Sequence, residues 1–304
     1  VEMTLAVGGG SALDSSKSAA AGAANRCDPW LFSIGEKVPE KSLPVGAVLT
    51  ISAAGSEMSN SCVMTNEDGW LKRGFNTDLN RPLFAIMNPE LTYTVSPYQT
   101  ACGITDIMMH TLERYFCFNT DNALTDRIAE GLLKSVIEAG KAAIENPRDY
   151  EARATLMWAS SMSHNNLTGN GRDYFMRCHQ IEHELSGMYD RVAHGAGLAV
   201  VFPAWAKFIY KNEKALPRFC QYANRVWGID MDFDHPERTA RLGIEATENY
   251  FKSIGMPVRL RELEVDDSKF EEMAEKCTFF GKRVLRDYIP LGKQEIVEIY
   301  RLGL

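Results

Sequence analysis

The amino-acid sequence predicts an α/β first part followed by an all-helical second part, with the boundary near residue 94. Three observations carry this prediction. Apolar runs at 3–7, 44–51 and 83–87 have the composition of strands, and the first leads through three glycines into an alanine-rich helix. Ser96-Pro97 is a strong helix start, because a capping residue precedes proline at the first helical position. From there, apolar residues recur every 3.6 positions to the C-terminus.

The remaining elements follow from local signals. Ser11 is predicted to cap the first helix, with Asp14 favouring the positive helix end. Residues 62–75 predict a hairpin around a polar turn at 66–69. We expect domains at 1–94 and 95–304, the second built from helices at 96–118, 121–145, 148–168, 173–186, 194–211, 236–254, 268–282 and 293–301.

Composition and charge favour a small-molecule substrate. The 304 residues are 45% hydrophobic and carry a net charge of −7, so no basic surface is available for a nucleic acid. The apolar stretches are too short to span a bilayer, and no membrane partner is expected. Seven cysteines are scattered singly, which favours free thiols in a cytoplasmic protein over disulfides or a cysteine zinc site.

The first candidate site is the glycine turn Gly8-Gly9-Gly10-Ser11 with Asp14. A glycine turn lets the backbone approach a phosphate, and the next helix offers free N–H groups. A second polar turn, Gly55-Ser56-Glu57, ends another predicted strand, where ligands of open α/β sheets bind. A plain tight turn between strand and helix remains open for the first motif.

The second candidate is a set of metal-ligand residues in the helical part. Asp106 and His110 are four residues apart, His179 and His183 repeat that spacing, and His194 opens a later helix. Three imidazoles and one carboxylate suit Zn²⁺ or Fe²⁺. Each pair, taken alone, is also compatible with an ordinary contact on a helix surface.

Three further features leave alternatives open. His179-x-x-Glu182-His183 matches the inverted zinc-peptidase signature, in which both histidines bind zinc and the glutamate activates water. Glu113 either bonds a ligand histidine or is a solvated acid. Lys72 either meets a cofactor phosphate or lies on the surface, and His164 and His235 are expected to have no chemical role.

These motifs occur together in one order. The ordered set is Gly8-Gly9-Gly10-Ser11-x-x-Asp14-x-x-Lys17, Gly55-Ser56-Glu57, Gly103-x-x-Asp106-x-x-x-His110-x-x-Glu113 and the series His179, His183, His194-Gly195. Over essentially the whole chain, this set resembles the iron-containing (group III) alcohol dehydrogenase family. The run at 178–186 resembles its butanol dehydrogenase branch of NADPH-dependent aldehyde reductases.

The resemblance implies hydride transfer between a small primary alcohol and its aldehyde, in a cleft between a Rossmann-like nucleotide domain and a helical domain. It implies a divalent metal, Fe²⁺ or Zn²⁺, and NADP(H) in preference to NAD(H). A homodimer is expected because dimers are the commonest closed assembly. By position, the resemblance implies that the metal ligands are Asp106, His110, His179 and His194. It implies that His183 is catalytic beside the nicotinamide and that Lys72 lies at the nicotinamide end of the cofactor. The residues that it implies along the rest of the cofactor are Gly9, Gly10, Ser11, Asp14 and Ser56.

The sequence departs from the family in two places. Ala54 stands where the family usually carries threonine, which removes a hydroxyl near the cofactor. In the family, an α/β segment with the loop that separates NAD from NADP precedes the glycine turn. The nucleotide domain is therefore expected to be truncated at its front. A zinc metallopeptidase or a catalytically impaired metal-binding remnant remain the alternative functions.

Overall fold

The computed structural model describes residues 1–119 and 121–304. The first part contains a parallel sheet and a separate hairpin, as the apolar runs predict. In the parallel sheet the middle strand pairs with a neighbour on each side, and the hairpin is antiparallel. The strands are β1 Thr4–Gly8, β2 Val45–Leu49, β3 Ser61–Asn66, β4 Leu71–Asn76 and β5 Phe84–Ile86, with sheet order β1-β2-β5 and hairpin β3-β4.

The two faces of the parallel sheet differ in their surroundings. On one face, Ala6 and Ala47 pack against Leu13 of the first helix in a small buried cluster. On the other face, the in-register apolar side chains are open to solvent, with Leu5 55% exposed and Val7 61% exposed. This open face, which we call the bare sheet face, consists of Leu5, Val7, Phe84 and Ile86.

The second part is helical, as the periodicity predicts. Its helices surround one large apolar core that includes residues from nearly all of them. The α-helices of the described residues are α1 Gly10–Asn25, α2 Trp30–Ser33, α3 Pro97–Tyr115, α4 Ala123–Glu145, α5 Tyr150–His164, α6 Arg177–Met188, α7 His194–Ile209, α8 Leu216–Trp227, α9 Pro236–Ser253, α10 Phe270–Cys277 and α11 Lys293–Leu302.

Several boundaries differ from the sequence prediction. Helix α8 was not predicted; Pro217 occupies its first turn, where a missing N–H is tolerated, and Gly228 ends it with φ of 70°. The segment predicted at 268–282 ends at Cys277, because the chain turns there into left-handed backbone. Helix α1 begins at Gly10 with Gly9 as its N-cap, so the predicted Ser11 cap is wrong.

Helix α3 lies at the centre of the helical part. All of its residues from Thr100 to Tyr115 are buried, and two glycines let other backbones touch it. A Cβ on Gly103 would lie 2.1 Å from the carbonyl oxygen of Ser52, and one on Gly195 would lie 2.1 Å from that of Cys102. The turn after β2 and the start of α7 therefore both contact α3 directly.

Within residues 1–119 and 121–304, no helix combines the length and the apolar character that crossing a bilayer requires.

Candidate active site and metal centre

Candidate residues from both parts of the chain line one large cavity. Its volume is about 1130 Å³. The glycine turn and the β3-β4 hairpin contribute one side, and helices α3, α6 and α7 contribute the other. The residues that the resemblance assigns to cofactor, metal or catalysis all line it: Gly9, Gly10, Ser11, Asp14, Ser56, Lys72, Asp106, His110, His179, His183 and His194.

The start of α1 supplies an anion-binding surface to this cavity. The first N–H groups of a helix have no intrahelical acceptor, and the helix dipole places partial positive charge there. Gly10 and Ser11 carry such groups and line the cavity. A Cβ on Gly9 would lie 2.4 Å from the side chain of Ile51, so only glycine fits at this cap.

The carboxylate of Asp14 is used within the protein. It accepts hydrogen bonds from the Ser56 hydroxyl at 2.6 Å and from the backbone N–H of Val63 at 2.9 Å. Burial raises its pKa, against the opposing charge of Lys17. Asp14 and Ser56 thus tie α1, the turn after β2 and the hairpin together behind the glycine turn.

Lys17 completes this network. The side chain is fully buried, and its ammonium group donates to the Ser56 hydroxyl at 2.7 Å and to the carbonyl oxygens of Ser59 and Ser61. Burial lowers its pKa, while the charge of Asp14 acts in the opposite direction. The sequence motif contained Lys17, but only the fold shows that its ammonium group joins α1 to the turn after β2 and to the start of the hairpin.

Asp106 lies at the centre of the imidazole cluster. Its Oδ1 is 3.3 Å from Nδ1 of His110, 3.4 Å from Nε2 of His179 and 3.8 Å from Nε2 of His194. The i,i+4 spacing on α3 brings His110 to Asp106, as predicted. Packing of α7 on α3 brings His194, and packing of α6 on α7 brings His179. The ligand atoms of Asp106, His179 and His194 all lie within 4.8 Å of one another.

Two buried carboxylates orient the imidazoles. The carboxylate of Glu113 forms a hydrogen bond with Nδ1 of His179. It also accepts hydrogen bonds from the backbone N–H groups of Cys178 and His179. Glu182 bonds Nδ1 of His194. Because each Nδ1–H faces a carboxylate, Nε2 of each neutral ring can direct its lone pair to a cation beside Asp106, the arrangement common around metal-bound histidines. Of the two interpretations of Glu113, the histidine contact is correct.

The residues fit a divalent cation. Oδ1 of Asp106, Nδ1 of His110 and Nε2 of His179 are buried, face one another and have no hydrogen-bond partner. Buried polar atoms without partners are costly, and a shared cation would satisfy all three. One carboxylate with three imidazoles is a donor set for iron or zinc.

The electrostatics of the rings differ with their surroundings. Burial lowers the pKa of His179, but the neighbouring carboxylates of Asp106 and Glu113 outweigh this effect and raise the pKa to about 9. Burial, with the neighbouring His164, holds the pKa of His110 well below its ordinary value. Burial, with the charge of Lys72, does the same for the pKa of His183.

His183 lies beside the cluster rather than within the group around Asp106. Its ring centre is 5.4 Å from that of His194 and 6.4 Å from that of His179. The peptidase alternative is therefore not supported. It requires His179 and His183 on one ion, and it requires Glu182 free to activate water, whereas Glu182 is fully buried and bonded to His194.

Lys72 reaches the cavity from β4. Its ammonium group donates to the Ser186 hydroxyl at 3.0 Å and lies 3.9 Å from Oε2 of Glu182. Of the two interpretations given above, the surface position is wrong, because Lys72 lines the cavity.

His164 also lies at the cavity, although its expected lack of a chemical role stays a prediction. The residue ends α5 and lines the cavity, with its ring centre 3.9 Å from that of His110. Its Nδ1 lies 2.8 Å from the carbonyl oxygen of Ala54, which fixes that nitrogen as a donor. Only the packing of α5 on the turn after β2 reveals this contact, so no local sequence signal could have found it.

We expect Glu113→Gln to weaken metal binding by about 10–100-fold, because the amide cannot hold His179 as the carboxylate does. The free energy of unfolding should fall by about 1–3 kcal/mol, since buried N–H groups of α6 lose a charged acceptor. Competition with a chromogenic chelator measures the affinity, and Glu138→Gln, on the exposed side of α4, is the matched control. Unchanged affinity in Glu113→Gln would contradict this role.

Two family models match the chain. Residues 100–303 match the model described as "Fe-containing alcohol dehydrogenase family, C-terminal", and residues 1–89 match "Iron-containing alcohol dehydrogenase". The chain therefore belongs to the iron-containing alcohol dehydrogenase family. It is an NAD(P)-dependent alcohol dehydrogenase, and its family implies a divalent metal.

Individual relatives support the butanol dehydrogenase branch. The chain is 41% identical to NADH-dependent butanol dehydrogenase A of Clostridium acetobutylicum, over 99% of this chain and 77% of that protein. It is 36% identical to NADPH-dependent aldehyde reductase YqhD of Escherichia coli, over 92% of this chain and 72% of that protein. The chain thus spans about three quarters of the length of these relatives.

A solved structure has the same fold. The crystal structure of NADH-dependent butanol dehydrogenase A from Thermotoga maritima superposes with a TM-score of 0.94 at 36% identity, covering 100% of this chain and 76% of that one. The predicted fold class, an α/β part followed by a helical part, is confirmed.

Proposed function

We propose that this enzyme reduces short-chain aldehydes such as butanal to primary alcohols with NAD(P)H, and catalyses the reverse oxidation. The observation that carries the proposal is a single cavity in which the start of α1 and the Asp106 cluster face the same space. The named activities of the relatives, butanol dehydrogenase and aldehyde reductase, support this substrate class.

Reduction consumes the aldehyde, a hydride and a proton, and it yields the alcohol and NAD(P)⁺. When bound, the divalent ion polarises the carbonyl group and stabilises negative charge on its oxygen. Asp106, His110, His179 and His194 would hold that ion, with Glu113 and Glu182 fixing two of the rings.

Other residues of the cavity position the cofactor and move the proton. Gly9, Gly10 and Ser11 would bind the cofactor phosphates, at the positive end of α1. Asp14 and Ser56 support that turn from behind, and Lys72 would lie at the nicotinamide end. His183 supplies a ring nitrogen through which a proton moves between the substrate oxygen and solvent. Residues 1–94 would thus bind the dinucleotide and residues 95–304 the metal.

The test is an assay of butanal reduction before and after metal removal. We expect a chelator to abolish the activity and Fe²⁺ or Zn²⁺ to restore it, with the more effective ion identifying the metal. NADH and NADPH are compared in parallel, because relatives of both kinds exist; our sequence-based expectation is a preference for NADPH. Activity that persists in the metal-free protein would exclude the proposed role of the ion.

A further inference from the structure

A group of cationic side chains lies beside the proposed catalytic residues. Arg73 follows Lys72 on β4, and Arg283 approaches from the turn after α10; all three line the main cavity. The guanidinium carbons of Arg73 and Arg283 lie 4.7 Å and 3.6 Å from the ring centre of Phe279. We call Arg73, Phe279 and Arg283 the arginine clamp.

Two of these cations already have anionic partners. Lys72 is 3.9 Å from Glu182, and Arg73 forms an ion pair with Glu184 at 2.6 Å. Arg73 also donates to the carbonyl oxygens of Lys72 and Lys276, which uses both of its terminal nitrogens. The charges of Lys72 and Arg73 are therefore balanced by carboxylates of the protein, and the terminal nitrogens of Arg73 already donate hydrogen bonds within it.

Arg283 is different. Its Nε donates to the carbonyl oxygen of Cys277 at 2.7 Å, while its terminal nitrogens have no hydrogen-bond or ion-pair partner among the residues that the structure describes. The charge of Glu184 attracts Arg283 without direct contact, because this carboxylate is already bonded to Arg73. The four N–H groups on the two terminal nitrogens of Arg283 are therefore available to an anion, and a guanidinium forms its strongest hydrogen bonds with anionic groups.

The backbone that presents Arg283 is strained. Phe279, Phe280 and Gly281 follow one another with φ of 51°, 56° and 80°. Left-handed backbone is unfavourable at a bulky residue, and such residues cluster at ligand-binding sites. Here the strained turn places the Phe279 ring beneath the guanidinium of Arg283, which fixes the direction of its free donors.

We propose that the arginine clamp, acting through Arg283, binds an anionic group at the far end of the aldehyde substrate, so that the enzyme favours short aldehydes that carry a terminal carboxylate over neutral ones. This inference rests on the proposed function. The position agrees with it, because Arg283 and His183 line the same cavity. A cofactor phosphate is an anion of related chemistry, and the test separates the two sources.

The test compares 4-oxobutanoate with butanal, which have the same number of carbon atoms. In the wild-type protein we expect kcat/KM to be higher for 4-oxobutanoate. In Arg283→Met, which keeps the apolar stem over Phe279, the ratio of the two kcat/KM values should fall about 10–100-fold, as for the loss of a charge-assisted hydrogen bond. Arg283→Lys should recover part of it, and Lys282→Met, on an exposed neighbour, should leave it unchanged.

Binding measurements keep this test separate from the proposed function. Calorimetric titration with succinate, which cannot react, should show binding to the wild type and a loss of it in Arg283→Met even if butanal is not a substrate. The dissociation constant of NADH, measured by fluorescence, should be the same in the wild type and in Arg283→Met, and so should that of NADPH. An unchanged substrate ratio, or a loss confined to cofactor affinity, would overturn the proposal, and the second result would assign Arg283 to a cofactor phosphate.

Discussion

Asp106→Asn is expected to abolish aldehyde reduction and to lower metal affinity by more than about 100-fold, beyond the loss typical when a hydrogen-bond partner of a ligand is replaced. The asparagine side chain has the same shape, so it fits the buried position on α3. It lacks the negative charge around which the nitrogens of three histidines lie at 3.3–3.8 Å. Metal content after purification and thermal unfolding with and without added metal measure the effect.

The wild type should gain thermal stability when metal is added, because a ligand that binds only the folded state stabilises it, whereas Asp106→Asn should not. The control is Asp190→Asn, an exposed carboxylate just after α6 that contacts none of the cluster residues. Normal metal content together with normal activity in Asp106→Asn would remove the carboxylate from the ligand set.

His194→Ala is expected to abolish metal content and activity while leaving NADPH binding largely intact. The imidazole contributes one of the three ligand atoms grouped within 4.8 Å, and alanine offers none. The side chain lies at the first position of α7 and is 27% exposed, so its truncation leaves no large cavity in the core. NADPH fluorescence titration measures the cofactor affinity, and elemental analysis measures the metal.

A matched replacement is His235→Ala, because His235 is exposed at the cap of α9, far along the chain from the cluster. This variant should keep both metal and activity. If His194→Ala retains full activity, then His194 is not a ligand. If NADPH affinity falls as steeply as metal content, the glycine turn and the metal cluster are not independent parts of the site.

Much of the site could be predicted from spacing alone. A helix places residues four apart on one face, so Asp106 with His110 could be assigned to one site before any fold was known. The strands could likewise be predicted from their apolar runs, and the glycine turn from the three glycines that follow the first run. In contrast, the pairing of Glu113 with His179 and of Glu182 with His194 depends on how α3, α6 and α7 pack.

The misses have the same physical origin. His164 lies far along the chain from Ala54 and His110, so nothing near it in sequence shows that it enters the cavity. Glu182 matched a peptidase signature because a short pattern carries no information on which partner will occupy the carboxylate. Helix α8 carries a proline in its first turn, where a proline is compatible with either a helix or a break.

The bare sheet face has a practical consequence for work with these 304 residues. Its aliphatic and aromatic groups lie on one face of the parallel sheet. The outer edge of strand β1 pairs with no strand among residues 1–119 and 121–304. Sulfate and other strongly hydrated salts strengthen contact between such surfaces. At equal ionic strength, a concentrated solution of the protein should therefore self-associate more readily in these salts than in chloride.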